Sequence, residues 1–248
     1  MENKPYGSVI GSKVAPYENE LAKECGLATD YRAITHPSLP NYLAATGGST
    51  FGVTDDAGPS SHPISGPSLF QQLTQANSSW RAYDESMPTA CDLNPSGRYA
   101  VKHNPAVYYT AVRTQCAVDD VPLEGHLSQD IATGNLPSFA FVTPNLCDDT
   151  HDCSVQTGDT WLATWIPRIV AGPNYRTGNT LIVLTWDEGV GANNLIPTVV
   201  IGPSVPTGDR SSAALTHYSL LRTTEELLGL PAIGAASTAT SMTSTFHL

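Results

Sequence analysis

Thr35-His36-Pro37-Ser38-Leu39-Pro40-Asn41-Tyr42 is the stretch whose reading decides the fold. It follows an apolar segment, Leu27 to Ile34, that reads as a strand. It leads into Tyr42-Leu43-Ala44-Ala45-Thr46, which reads as the first turns of a helix. A hydroxyl between two prolines at such a junction is held in a constrained turn. The helix start leaves free backbone N–H groups that suit an anion. Ser38 is therefore placed like a nucleophile, and Asn41 like a donor to charge developing in the transition state. The same residues also read as a Pro-rich turn with a helix-capping serine.

Two distant stretches bear on that choice. The chain opens Met1-Glu2-Asn3-Lys4-Pro5-Tyr6. Far downstream the apolar run Thr180-Leu181-Ile182-Val183-Leu184-Thr185-Trp186 ends in Asp187-Glu188-Gly189. Between them lie Lys102-His103-Asn104-Pro105 and His151-Asp152-Cys153, and His217-Tyr218-Ser219-Leu220-Leu221 follows. These six motifs, in this order, resemble the phosphoesterase family of the alkaline-phosphatase superfamily, which holds bacterial acid phosphatases and non-haemolytic phospholipases C.

The resemblance implies an α/β fold with an alkaline-phosphatase-like, mostly parallel central sheet and helices on both faces. It implies a metal-dependent phosphoesterase working through a phosphoserine at Ser38, of the acid-phosphatase-like phosphomonoesterase kind. A phospholipase C-type phosphodiesterase, or an impaired phosphate- or sugar-binding module of the same fold, is the alternative. Carried over residue by residue, the metal ligands are Glu2, Asn3, Ser38, Asp187 and Glu188. All donate oxygen, which suits one divalent calcium, magnesium or manganese ion better than zinc. Two adjacent carboxylates such as Asp187 and Glu188 are costly without a cation between them, though one can instead cap a helix while the other faces solvent. His103, His151 and His217 are placed at the site as phosphate contacts or proton donors; His217 can equally cap its own helix. His36 reads as structural, facing away from the pocket. A carboxyl-ester hydrolase is disfavoured because Gly-x-Ser-x-Gly is absent around Ser38.

The chain departs from the family in two places. A histidine is expected at the Glu188 position in two-metal relatives, so a single metal is expected here. The family also has an apolar strand immediately before the Glu-Asn pair, and this sequence starts there. The first strand is thus read as truncated, with Glu2 and Asn3 on a loose terminus.

Composition sets outer limits. A length of 248 residues, 40% of them hydrophobic, fits one sizeable α/β domain. The net charge of −11 argues against a nucleic-acid partner. It also repels phosphate esters at long range, so a phosphate site needs a local positive centre. No apolar run is long enough to span a membrane, and residues 1–20 lack the apolar centre of a signal peptide. Cys91 and Cys116, and Cys147 and Cys153, read as two disulfides bracketing loops, which points to an exported protein whose leader is absent from this sequence. Cys25 reads as a buried free thiol. A small phosphate-ester substrate is the expected partner, and the oligomeric state is not legible.

Strands alternate with helices along the rest. Helices are expected at Ala15 to Glu24, Ser68 to Ala76, Leu127 to Thr133, Asp159 to Val170 and His217 to Leu228. Strands are expected at Trp80 to Tyr83, Ser138 to Val142 and Ile196 to Ile201. Residues 47–67 read as a long loop over the site. Residues 87–122 read as a disulfide-stapled insertion, and the Ala/Ser/Thr-rich stretch 232–248 as a mobile tail. Such a pattern predicts a parallel sheet with its ligands at the carboxyl ends of the strands.

Overall fold

A computed structural model describes residues 1–178 and 180–248. In chain order the elements are α1 (Tyr6–Val9), α2 (Pro16–Glu24), β1 (Gly26–Ala28), β2 (Tyr31–Arg32), α3 (Ser38–Gly47), α4 (Leu69–Gln75), β3 (Trp80–Asp84), α5 (Arg113–Asp119), β4 (Asp120–Pro122), α6 (Leu123–Thr133), β5 (Phe139–Thr143), α7 (Val155–Ala171), α8 (Pro173–Arg176), β6 (Ile182–Thr185), β7 (Thr198–Ile201), β8 (Arg210–Ser211), β9 (Leu215–Thr216), α9 (His217–Leu227) and α10 (Thr243–Phe246). Short 3₁₀ turns cover Val101–His103, Pro105–Tyr108, Thr110–Val112 and Gly234–Thr238.

The strands form three groups, ordered β4-β3-β5, β6-β7-β1-β8 and β2-β9. The first is wholly parallel, with Ala82 opposite both Asp120 and Phe141. The second mixes senses: β7 runs antiparallel to both β1 and β6, and β1 and β8 are parallel. The expected α/β architecture is present, with its sheet interrupted. Between β5 and β6 lies a slot of about 670 Å³, lined by residues 138–143 on one side and 180–187 on the other. Trp161, Trp165 and Ile166 of α7 also line it. It lies beside Met1, where the family resemblance expects the strand that precedes Glu2.

Local sequence explains most element boundaries. Ser68 caps α4, its Oγ accepting from the Gln71 N–H at 3.2 Å. Ser154 does the same for α7 through Thr157, which starts that helix four residues before the apolar periodicity does. The Leu27–Ile34 segment is two strands, because β1 pairs with β7 and β8 whereas β2 pairs with β9. Residues 1–10 form no strand; Pro5 precedes the single helical turn α1.

Two expectations need correction. Residues 87–122 are part of the main core: Tyr99, Val107, Tyr108, Tyr109 and Cys116 are buried in the largest apolar cluster, and β4 belongs to the sheet. The Cys91–Cys116 bond thus links two parts of the core. The stretch 232–248 is docked, because its few apolar residues find seats: Ala236, Met242 and Phe246 are fully buried. The Phe246 ring lies so close to Gly26 that a Cβ there would fall 2.7 Å from it. Among the described residues, no helix is long and apolar enough to cross a membrane.

Candidate active site

Ser38 is the first residue of α3, and the cap position before it is Pro37, whose side chain makes no capping bond. The Ser38 hydroxyl is thus not a helix cap. It is buried and donates to Glu2 Oε2 at 3.0 Å. Asn41 does not offer a free amide to the same place, contrary to the sequence reading. Its Oδ1 accepts from the N–H groups of Ile34 and Thr35, and its Nδ2 donates to the carbonyls of Thr35 and Pro37. All four bonds staple the turn that presents Ser38, because a short amide side chain meets local backbone groups first.

Glu2 is the centre of the site and is fully buried. Its Oε1 accepts from the Tyr42 hydroxyl and lies 3.2 Å from His103 Nε2. His103 Nδ1 lies 3.1 Å from Asp149 Oδ2, so the buried ring sits between two carboxylates, though neither ring nitrogen is aligned for a hydrogen bond. The expected loose terminus is tied down. Glu2 N–H donates to the Asp149 carbonyl at 2.7 Å, and Thr150 Oγ1 donates to the Glu2 carbonyl at 2.7 Å. Met1 makes a parallel-ladder rung: its amino group reaches the Thr185 carbonyl at 3.3 Å, and the Asp187 N–H reaches the Met1 carbonyl at 3.0 Å.

Asp187 lies two residues beyond the end of β6. Its Oδ1 accepts from the Asn3 N–H at 3.0 Å, while Oδ2 is buried without a hydrogen-bond partner. Glu188 turns the other way, its carboxylate paired with His36 Nδ1. His36 therefore faces the acidic pair, which the sequence reading had excluded. His217 is buried beneath the site. Its Nε2 donates to the Asp187 carbonyl at 2.6 Å, which leaves Nδ1 to accept from the Tyr31 hydroxyl at 3.2 Å. It positions Asp187 and does not face Ser38's oxygen. His151 lies on the more open side, with Nε2 3.4 Å from Lys102 Nζ and Nδ1 2.7 Å from Asp152.

The electrostatics are those of negative charge crowded in a dry place. Burial, then the nearby charges of Asp187 and Asp149, push Glu2 well above the ordinary carboxylate range. Burial and Asp187 raise Glu188 to about 7, against the pull of His36. Burial depresses His103 and His217, opposed at His103 by Asp149 and at His217 by Asp187. Glu2, His103 and His151 each offer a ligand atom within 4.8 Å of the others. The orphaned Asp187 oxygen and the strained charge of Glu2 fit a cation with hard oxygen ligands.

Sequence reasoning passed over Tyr42, Asp149, Asp56 and the pairing of His36 with Glu188. Tyr42 lies within the 35–42 motif, one helical turn from Ser38, and Asp149 lies in the Cys147–Cys153 loop, two residues before His151. Asp56 sits in the 47–67 loop, and nothing local distinguishes it from the adjacent Asp55.

Comparison with known proteins places the site in context. The model of the Phosphoesterase family matches residues 11–231. A phosphatidylinositol-3-phosphatase of Mycobacterium tuberculosis is 37% identical over 98% of this chain and 79% of its own length. An acid phosphatase of Aspergillus fumigatus is 33% identical over 86% of this chain and 51% of its own, so the chain spans about half of that relative. In structure, an alkaline phosphatase superfamily protein from Vibrio parahaemolyticus aligns with a TM-score of 0.66 at 10% identity, over 99% of this chain and 70% of that one.

Proposed function

The chain belongs to the phosphoesterase family, hydrolases of phosphate esters, and we propose that it removes phosphate from small phosphomonoesters through a phosphoserine at Ser38. The observation that supports this most is the Ser38 hydroxyl, buried at a helix start and bonded to a carboxylate whose proton affinity is raised. Glu2, Asn3, Ser38 and Asp187 are the residues that would hold one divalent cation. Glu188 stands beside them on His36. When bound, the cation would offset the crowded carboxylates and favour the ionised form of the serine oxygen.

The protein's own groups account for the rest. Tyr42 and His103 fix the Glu2 carboxylate, which fixes the Ser38 oxygen for attack on phosphorus. Attack passes the Ser38 proton to Glu2, which already accepts it in a hydrogen bond, forms the Oγ–P bond and breaks the bond to the leaving alkoxide, which needs a proton. His151 suits that role because it is partly open and adjacent to Lys102, whereas His103 is enclosed between Glu2 and Asp149. Water then cleaves the phosphoserine. Two disulfides, Cys91–Cys116 and Cys147–Cys153, support an exported protein. Monoester substrates are favoured by the phosphatase names of the relatives.

The test is turnover of a chromogenic phosphomonoester with calcium, magnesium or manganese, and after chelation. Activity should require an added ion, and Ser38→Ala should lower it by at least about a hundredfold while melting unchanged. Turnover that survives the substitution would point to direct attack by water.

A further inference from the structure

An anion already occupies the mouth of this site, and it comes from the protein. Asp56, on the long loop after α3, directs its carboxylate at two donors beside Ser38. Oδ1 accepts from the Leu39 N–H at 3.0 Å, and Oδ2 accepts from Lys102 Nζ at 2.9 Å. Leu39 is the residue after the nucleophile. Prolines at 37 and 40 carry no N–H, so its amide is one of few at this helix start. Lys102 Nζ lies 3.4 Å from His151 Nε2, which places its ammonium beside the candidate proton donor.

The contact is braced. Asp55 Oδ1 accepts from the Ala57 N–H at 2.9 Å and pairs with His62 Nε2 at 2.6 Å, and the Tyr108 hydroxyl donates to the Ala57 carbonyl at 3.1 Å. The Asp56 and Lys102 side chains remain 28% and 21% exposed, enough for an incoming group to reach the pair. A backbone N–H on the residue after the nucleophile and an ammonium beside His151, brought together on one carboxylate, are donors of the kind a phosphoryl group's non-bridging oxygens require. The same carboxylate adds negative charge to a site that already holds Glu2, Asp149 and Asp187.

We propose that Asp56 is a built-in competitor for the substrate's phosphoryl group: it holds the Leu39 amide and the Lys102 ammonium in the resting protein and is displaced when a phosphate ester binds. The inference rests on the phosphoesterase reading. It assigns to the 47–67 loop a role in setting substrate affinity, and favours substrates carrying two negative charges over those with one, since the former displace a carboxylate better.

The test is calorimetric titration of the magnesium-loaded protein with inorganic phosphate, beside the KM of a chromogenic phosphomonoester. Asp56→Asn and Asp56→Ala should each tighten phosphate and lower KM by about tenfold, the effect of one charge-assisted contact freed from competition. Lys102→Met should weaken phosphate in the wild type and in Asp56→Asn alike. Phosphate binding that is unchanged or weaker in both Asp56 variants, with melting preserved, would overturn the proposal and make Asp56 a brace for Lys102. If no phosphomonoester is turned over, the functional reading fails, yet the phosphate titration still decides the part played by Asp56.

Discussion

Asn41 uses all of its polar atoms on the turn 34–37, and this sets the terms at the scale of single residues. Removing the side chain strands two N–H groups and two carbonyls in a tightly packed turn. Asn41→Ala should therefore cost about 2–4 kcal/mol, seen as a melting temperature lower by about 5–15 °C. Activity should fall with it, because Ser38 loses its placement. Unchanged melting with a large loss of kcat would instead restore the donor role that the sequence suggested. The place of Ser38 at a helix start was legible from the prolines at the strand–helix junction, while its pairing with Glu2 depended on the distant first residues of the chain. The role of Asn41 was not, since an amide that caps a turn and one that faces a substrate share a sequence. His36 was misplaced for a related reason: the direction of a side chain in a turn depends on what the distant 187–188 segment brings to it.

At the scale of elements the slot between β5 and β6 is the main feature. The rung made by Met1 on Thr185 and Asp187 has parallel sense, so a strand ending at Met1 would run along the free edges of β5 and β6. A strand of about six residues spans the slot's length at about 3.3 Å per residue. Fusing six alternating Val and Ile residues ahead of Met1 should join the two sheets and raise the melting temperature by about 10 °C, through buried apolar area and paired backbone. Amide exchange at Ala140, Val142 and Val183, whose N–H groups point into the slot, should slow at the same time. No change in melting or exchange would show that the slot does not accept a strand. Local patterning found the longer helices and strands, because apolar periodicity and Ser caps are local; the short α1, α5, α8, α10, β4, β8 and β9 carry too few residues to show a period. It missed the place of residues 87–122 and 232–248 in the core, because isolated Tyr, Met and Phe residues in irregular chain have no period to read.

Across the whole molecule the net charge of −11 includes carboxyls held out of water. Burial raises Glu18 to about 8, Glu225 to about 7 and Asp120 to about 6. Each binds its proton more tightly folded than unfolded, so each contributes stability that is complete below the unfolded value and lost as pH rises through the folded one. The metal-free protein should therefore melt progressively lower as pH rises from about 5 towards 8. Glu18→Gln should flatten the upper part of that slope, since its carboxyl is buried without a hydrogen-bond partner beside Asp159. Melting that rises between pH 5 and 8 would contradict this. The acid-favoured fold agrees with a site whose carboxylates need a cation as pH rises.

The central claim, two successive displacements at phosphorus with Ser38 as the first nucleophile, has a direct measurement. It is the stereochemistry of hydrolysis of a phosphomonoester made chiral at phosphorus with oxygen isotopes. Two in-line displacements give net retention, and that is the expected result. Net inversion would mean a single displacement by water, and the phosphoserine mechanism would be wrong.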